Sequence, residues 1–179
     1  VISNPLCIGL IALFIKLRRR DSIQRYLEFY WPSWMTLLLW NLITVVFIHA
    51  IDALKGLFNR SEIPDFTTDV YATAHFLPLL YIAIVVAAPL FEEIFFRGFL
   101  FQGIRASWAG IPGAILITSG IWALIHPQYD WYDMAGIFLF GILLAIAQLK
   151  TRSLYVPITM HALNNALALL GVSMSQAGG

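Results

Sequence analysis

The sequence predicts an all-α fold, a polytopic bundle of about six to seven transmembrane helices with a polar site buried between them. Of the 179 residues, 60% are apolar and only 12% are charged, whereas soluble domains carry about a quarter charged residues. Long apolar runs recur along the chain, and no strand-like alternation interrupts them. The net charge of +1 and the lack of a basic patch interleaved with aromatics argue against a nucleic-acid partner.

The apolar runs place the predicted helices in order. The first run is shorter than the roughly 20 residues that a spanning helix needs, and the chain opens on Val1, so we expect a truncated start. We predict N-terminal segments and a loop over 1–71, a catalytic helical core over 72–172, and a tail over 173–179. The predicted segments are 1–15, 34–51, 74–89, 90–107, 110–126, 133–149 and 154–172.

Pro89 interrupts the longest apolar stretch, which runs from about 74 to 107. Proline lacks a backbone donor and clashes with the preceding turn, so it kinks a helix or ends it. The stretch is therefore either one kinked helix or two helices that meet just before a pair of glutamates.

Basic residues indicate how the chain is oriented. Clusters of Lys and Arg in short loops mark the cytoplasmic side, and they occur between Lys16 and Arg25 and again at Lys150 and Arg152. The mixed charges of the 52–73 connection fit the opposite side. We expect a multi-pass protein of a bacterial-type plasma membrane, with the bilayer as one partner.

Charged side chains stand in an otherwise apolar segment, "APLFEEIFFRGFLF", at Glu92, Glu93 and Arg97. Ionisable groups at membrane depth are costly and mark functional sites by default. Glu93 and Arg97 have the i, i+4 spacing of a helical ion pair, with the acid on the favourable N-terminal side. This pairing leaves Glu92 as the carboxylate without a partner, which suits it to act as a general base.

Two further polar motifs follow. His126 ends an apolar segment, with Trp122 one turn before it on the same face, and His161 and Asn165 share a face of the last segment. Asn164 is expected to point elsewhere.

If the helices that start near 90 and near 110 form an antiparallel hairpin, Glu92 and His126 become neighbours. A carboxylate, two imidazoles and an amide could then meet in one cavity. A carboxylate with an imidazole can activate water, and an imidazole with an amide N–H can hold an oxyanion, as peptide hydrolysis requires. Asp130 and Asp133, in the loop after His126, are predicted to be solvated or to line a substrate entrance.

These motifs, in this order, resemble the CPBP (or ABI) family of CAAX-prenyl-protease and bacteriocin-processing membrane proteins, relatives of the Ras-converting CAAX endopeptidase. The resemblance covers about 72–172, and one departure is Trp122, where the family usually has Phe. It implies an intramembrane glutamyl endopeptidase acting on prenylated, leader-bearing or other membrane-associated peptides. The implied roles are water activation by Glu92 and His126, an oxyanion site of His161 and Asn165, and support from Glu93, Arg97 and Trp122.

Three alternatives stay open at this point. In a zinc-dependent version of the same protease, Glu92, His126 and His161 would be ligands, although no cofactor is favoured. An immunity or scaffold protein would keep the fold without catalysis. A transporter would use the same polar residues as a proton relay.

Overall fold

A computed structural model describes residues 22–61 and 63–177, together with residue 9, so Lys16 and the predicted first segment apart from residue 9 lie outside the described residues. The described residues form helices and no strand, which confirms the all-α prediction. The helices, in chain order, are α1 Ile23–Tyr26, α2 Trp34–Leu57, α3 Asp65–Ala72, α4 Leu77–Arg105, α5 Gly110–Leu124, α6 Trp131–Thr151 and α7 Tyr155–Ala177.

Four of these helices, α2, α4, α6 and α7, are long and apolar enough to cross a membrane. The fifth apolar helix, α5, has 15 residues, and its length of about 22 Å falls short of a hydrocarbon core about 30 Å thick. Large apolar side chains remain exposed along the spans, among them Leu38, Leu42 and Val46 of α2. Such faces suit lipid rather than water, in agreement with the predicted polytopic bundle.

The stretch around Pro89 is one continuous helix, which settles the alternative that the sequence left open. Within α4, two π-helical segments, Ile82–Ala87 and Ile94–Leu100, flank the α-helical turn Ala88–Glu93. A π turn widens the helix by one residue and re-routes its backbone hydrogen bonds. The widened turn lies directly before Pro89 and accommodates the proline inside the span.

The connections around residues 52–73 and 125–133 contain helical residues and ion pairs that the sequence did not predict. Asp130 caps α6 by accepting from the backbone N–H of Asp133, and it lies 3.5 Å from Arg60. Asp133 forms a 2.6 Å ion pair with Lys55, both largely buried. The prediction of solvated loop residues is therefore wrong for Asp133, because α2 continues past residue 51 and brings a lysine to the start of α6. The 52–73 connection also contains α3, which was not predicted.

The connection before α2 and the basic C-terminal ends of α4 and α6 lie at the same end of the bundle. The buried Glu28 accepts from Gln148 at 2.8 Å and pairs with Arg152 at 3.4 Å and with Arg105 at 4.0 Å. The predicted cytoplasmic connections around Arg25 and Arg152 thus lie at the same end. The last helix also runs past its predicted end at residue 172.

Helices α5 and α6 pack closely where small residues meet. A Cβ on Gly141 of α6 would lie 3.0 Å from the Cβ of Ser119 and 3.1 Å from the Trp122 ring on α5. Short helix–helix distances of this kind need glycine or another small residue. The main apolar cluster surrounds this contact and includes Leu37, Phe96, Trp122, Phe140, Leu144, Ala147, Val156 and Met160.

Candidate active site

A fully buried ion pair forms the base of the site. Arg97 donates to Glu93 Oε1 at 2.9 Å, and both side chains have no exposed surface. A second guanidinium N–H of Arg97 donates to the Gly141 carbonyl at 3.3 Å. The i, i+4 pair predicted from the sequence is therefore present, and α6 supplies a backbone acceptor that the sequence does not indicate. Buried charges need such mutual neutralisation.

His161 joins this pair from α7. Its Nδ1 lies 2.8 Å from Glu93 Oε1, and the imidazole is 4% exposed. An ionised carboxylate only accepts hydrogen bonds, so Nδ1 carries a proton and Nε2 is left for other partners. The ring makes edge contacts with Trp122 and Phe140, at centroid distances of 5.2 and 6.3 Å. Sequence reasoning grouped His161 with Glu92, whereas its direct carboxylate partner is Glu93.

Glu92 lies beside the buried pair and is half-buried. The indole Nε1 of Trp122 donates to Glu92 Oε2 at 2.6 Å. The same indole ring covers the guanidinium of Arg97, whose Cζ lies 4.4 Å from the ring centroid. Trp122 therefore joins the unpaired carboxylate to the ion-pair network. The sequence predicts Trp122 only as a supporting aromatic residue, and its hydrogen bond to Glu92 was not predicted, although an indole N–H is always a potential donor.

His126 follows the end of α5, as predicted. Its Nδ1 lies 2.7 Å from the Trp122 carbonyl oxygen, which can only accept, so Nδ1 donates and Nε2 is an acceptor in the neutral ring. The His126 and Trp122 rings are 5.6 Å apart. The α4–α5 hairpin thus brings Glu92 and His126 to the same tryptophan, and no direct hydrogen bond joins the two side chains within the described residues.

Asn165 lies one turn beyond His161 and contacts a different part of α4. Its Nδ2 donates to the Ile84 carbonyl at 2.9 Å. The Asn164 amide donates to Asn165 Oδ1 at 3.3 Å, while no hydrogen bond joins it to His161 or to the glutamates within the described residues. The two neighbouring amides meet because each can turn its flexible side chain along the helix surface. Asn165 retains one amide N–H, because a primary amide has two.

Tyr129 extends the site beyond His126, toward α3. It was not predicted from the sequence as a site residue. Its ring lies 6.1 Å from the His126 ring and 5.3 Å from Phe66 of α3. Burial raises the pKa of Tyr129 despite its hydrogen bond with Thr67, and the Asp133 and Glu92 carboxylates add to the rise. The phenol is thus neutral near pH 7 and can donate a hydrogen bond.

The donor groups of the site do not form a metal-binding set. Within residues 22–61 and 63–177, no three or more His, Cys, Asp or Glu side chains are placed to hold a metal ion. The alternative ligand set of Glu92, His126 and His161 is not assembled as such a group among these residues; one ring nitrogen of His161 contacts Glu93, and one oxygen of Glu92 accepts from Trp122.

Comparison with known proteins agrees with these motifs. A family model described as type II CAAX prenyl endopeptidase, Rce1-like, matches residues 74–167. An uncharacterised 24.3 kDa protein of Escherichia coli is 34% identical over 95 residues, 51% of this chain and 43% of that protein. The membrane-embedded CAAX protease MroQ of Staphylococcus aureus is 25% identical over 122 residues, 65% of this chain and 49% of that protein. The chain thus spans about half the length of these relatives, and no solved structure matches it.

Proposed function

The chain belongs to the Rce1-like family of type II CAAX prenyl endopeptidases, and from this premise we propose that it is an intramembrane endopeptidase that cleaves membrane-associated peptides with water activated by Glu92. The family's name and the relative named as a CAAX protease support this reaction class. A prenylated C-terminus and a leader-bearing peptide are the two substrate classes to compare.

One observation carries the proposal: Glu92 is a half-buried carboxylate beside a fully neutralised charge network. Glu93 and Arg97 neutralise each other's charge, and the Trp122 indole donates to one oxygen of Glu92. The other oxygen, Oε1, is left to take a proton from water. A positioned general base of this kind contributes roughly 10²- to 10⁴-fold to a hydrolysis rate.

The two histidines complete the proposed chemistry. The tautomer of His126, protonated at Nδ1, leaves Nε2 to accept from the same water and orient it. Because Nδ1 of His161 is directed at Glu93, the ring can donate from Nε2 to an oxyanion only when both of its nitrogens carry a proton. Asn165, the second donor predicted from the sequence, has one amide N–H engaged by Ile84 and one left over.

The proposed reaction has two steps. Water attacks the carbonyl carbon of the scissile peptide bond while its proton passes to Glu92, and the tetrahedral oxyanion forms beside His161. The intermediate then collapses: the C–N bond breaks, and the proton returns from Glu92 to the leaving amine. The products are a carboxylic acid and an amine, with no other reactant consumed.

Replacing Glu92 tests the proposal. We expect Glu92→Gln to reduce cleavage of a membrane-anchored reporter peptide by at least about 10²-fold, while the protein inserts and folds as the wild type does. The reporter would be assayed with and without a prenyl group in liposomes, and folding would be followed by thermal unfolding in detergent.

Glu28→Gln provides the matched control, because Glu28 is also buried and ion-paired but lies away from Glu92, at the end of the bundle that carries Arg105 and Arg152. It should keep its cleavage rate at temperatures where it is folded. Full cleavage by folded Glu92→Gln protein would contradict the proposed mechanism. Loss of activity on chelation, with rescue by Zn²⁺, would instead favour the zinc-dependent alternative.

A further inference from the structure

The backbone carbonyl of Ile84 lacks its regular helical partner. In the π segment before Pro89, hydrogen bonds run from each N–H to the carbonyl five residues back, as from Ala88 to Ala83. The next bond of this series would join residue 89 to Ile84, and proline has no N–H to donate. An unpaired carbonyl inside a membrane span is destabilising, because lipid offers no hydrogen-bond donor.

Asn165 supplies the missing donor. Its Nδ2 lies 2.9 Å from the Ile84 oxygen, and the Asn164 amide, bound to its Oδ1, favours the orientation in which Nδ2 faces α4. Amide oxygens and nitrogens are distinguished by such networks. The Ile84 carbonyl thus lacks a backbone donor, and the Asn165 amide is oriented to donate to it.

We propose that Asn165 is a positioning residue, which replaces the N–H that Pro89 lacks and so holds α7 against the turn of α4 that carries Glu92 and Glu93. One helical turn away on the same face of α7, His161 binds Glu93. The two bonds anchor α7 at both ends of the glutamate-bearing turn Ala88–Glu93. The catalytic consequence of this inference rests on the proposed function, but the hydrogen-bond complementation does not.

A double-mutant cycle tests this pairing. Alanine at position 89 restores an N–H within reach of Ile84, so Asn165 should become less important in that background. We expect Asn165→Ala to lower the Tm of the full chain in detergent by about 2–4 °C, the equivalent of one hydrogen bond. In the Pro89→Ala background the same substitution should lower the Tm by less than half as much. Equal losses in both backgrounds would overturn the proposal.

Asn41→Ala is the matched control cycle. Asn41 also donates to a helix carbonyl, that of Leu37, and to Thr159 of α7. Its loss should lower the Tm equally whether residue 89 is proline or alanine. A coupling to Pro89 as large as that of Asn165 would show a nonspecific effect of the proline and overturn the inference.

Cleavage kinetics separate positioning from a merely structural role. Below the Tm, Asn165→Ala should lower kcat more than it raises KM, and Pro89→Ala should restore part of that kcat. A wild-type kcat in Asn165→Ala, or no recovery in the double variant, would contradict a positioning role. Because the Tm cycle needs no substrate, it gives an answer even if Glu92→Gln disproves the protease mechanism.

Discussion

Trp122 contacts both halves of the site through its side chain and its backbone. Its Nε1 donates to Glu92, its ring covers Arg97, and its backbone carbonyl accepts from His126. The side chain is 3% exposed, so little solvent competes for these contacts. A phenylalanine, usual at this position in the family that the motifs resemble, would keep the ring packing but could not donate to Glu92.

Trp122→Phe isolates that hydrogen bond. A hydrogen bond to a charged group contributes about 1.5–3 kcal/mol, so we predict a kcat about 10- to 100-fold lower with a smaller change in KM. Steady-state cleavage by purified protein in liposomes measures both constants. The control is Trp108→Phe, since Trp108 is 97% exposed. An unchanged kcat in folded Trp122→Phe would show that the indole N–H does not assist Glu92.

At the scale of elements, the site depends on close packing between α5 and α6. Gly141 presents its carbonyl to Arg97 and leaves room for Trp122. A side chain at this position would push the tryptophan away from Glu92 or separate the two helices. Stability and site geometry are therefore coupled at one glycine of α6.

Gly141→Ala should lower the free energy of unfolding by about 1–3 kcal/mol, the usual cost of overpacking, because its Cβ would meet Ser119 at 3.0 Å. Gly120→Ala is the matched control: its Cβ would lie 4.0 Å from the nearest atom, on Phe138, and helix propensity favours alanine. Unfolding of both variants in detergent checks the difference. Equal stabilities would mean that the α5–α6 contact relaxes freely.

At the scale of the whole molecule, Glu92 and Glu93 lie near the middle of a span. Glu92 is 13 positions from Arg105 and 15 from Leu77, about 20 and 22 Å along α4. His126 lies at the end of α5 away from the basic connections. The site is therefore deep, which reconciles a basic end predicted to be cytoplasmic with a proposed catalytic residue, His126, at the opposite end of α5.

Labelling of single cysteines tests this orientation. With Cys7 replaced by serine, Ser107→Cys in the α4–α5 connection should react only with reagent on the cytoplasmic side. His75→Cys, before α4, should react only from the other side. The positive-inside rule gives the physical reason, since the Arg105, Lys150 and Arg152 end gathers the basic groups. The reverse labelling pattern would show that the protein is inserted with the opposite orientation.

Much of the fold follows from local sequence properties. The spans α2, α6 and α7 begin within two residues of their predicted starts, because long apolar runs mark membrane spans. The Glu93–Arg97 bond was predictable because i, i+4 spacing alone brings the two side chains together. The ion pair of Asp133 was not predictable, since its partner Lys55 lies 78 positions earlier in the chain.

The sequence by itself determined a helical membrane protein with Glu92, Glu93, His126, His161 and Asn165 on helix faces that can converge. Hydrophobic length and helical periodicity are local properties, and they are sufficient for that conclusion. Only the tertiary structure decided the partners: His161 to Glu93, Trp122 to Glu92, and Asn165 to the carbonyl before Pro89. These pairings depend on how each helix is rotated and shifted against its neighbours, which close packing at residues such as Gly141 determines.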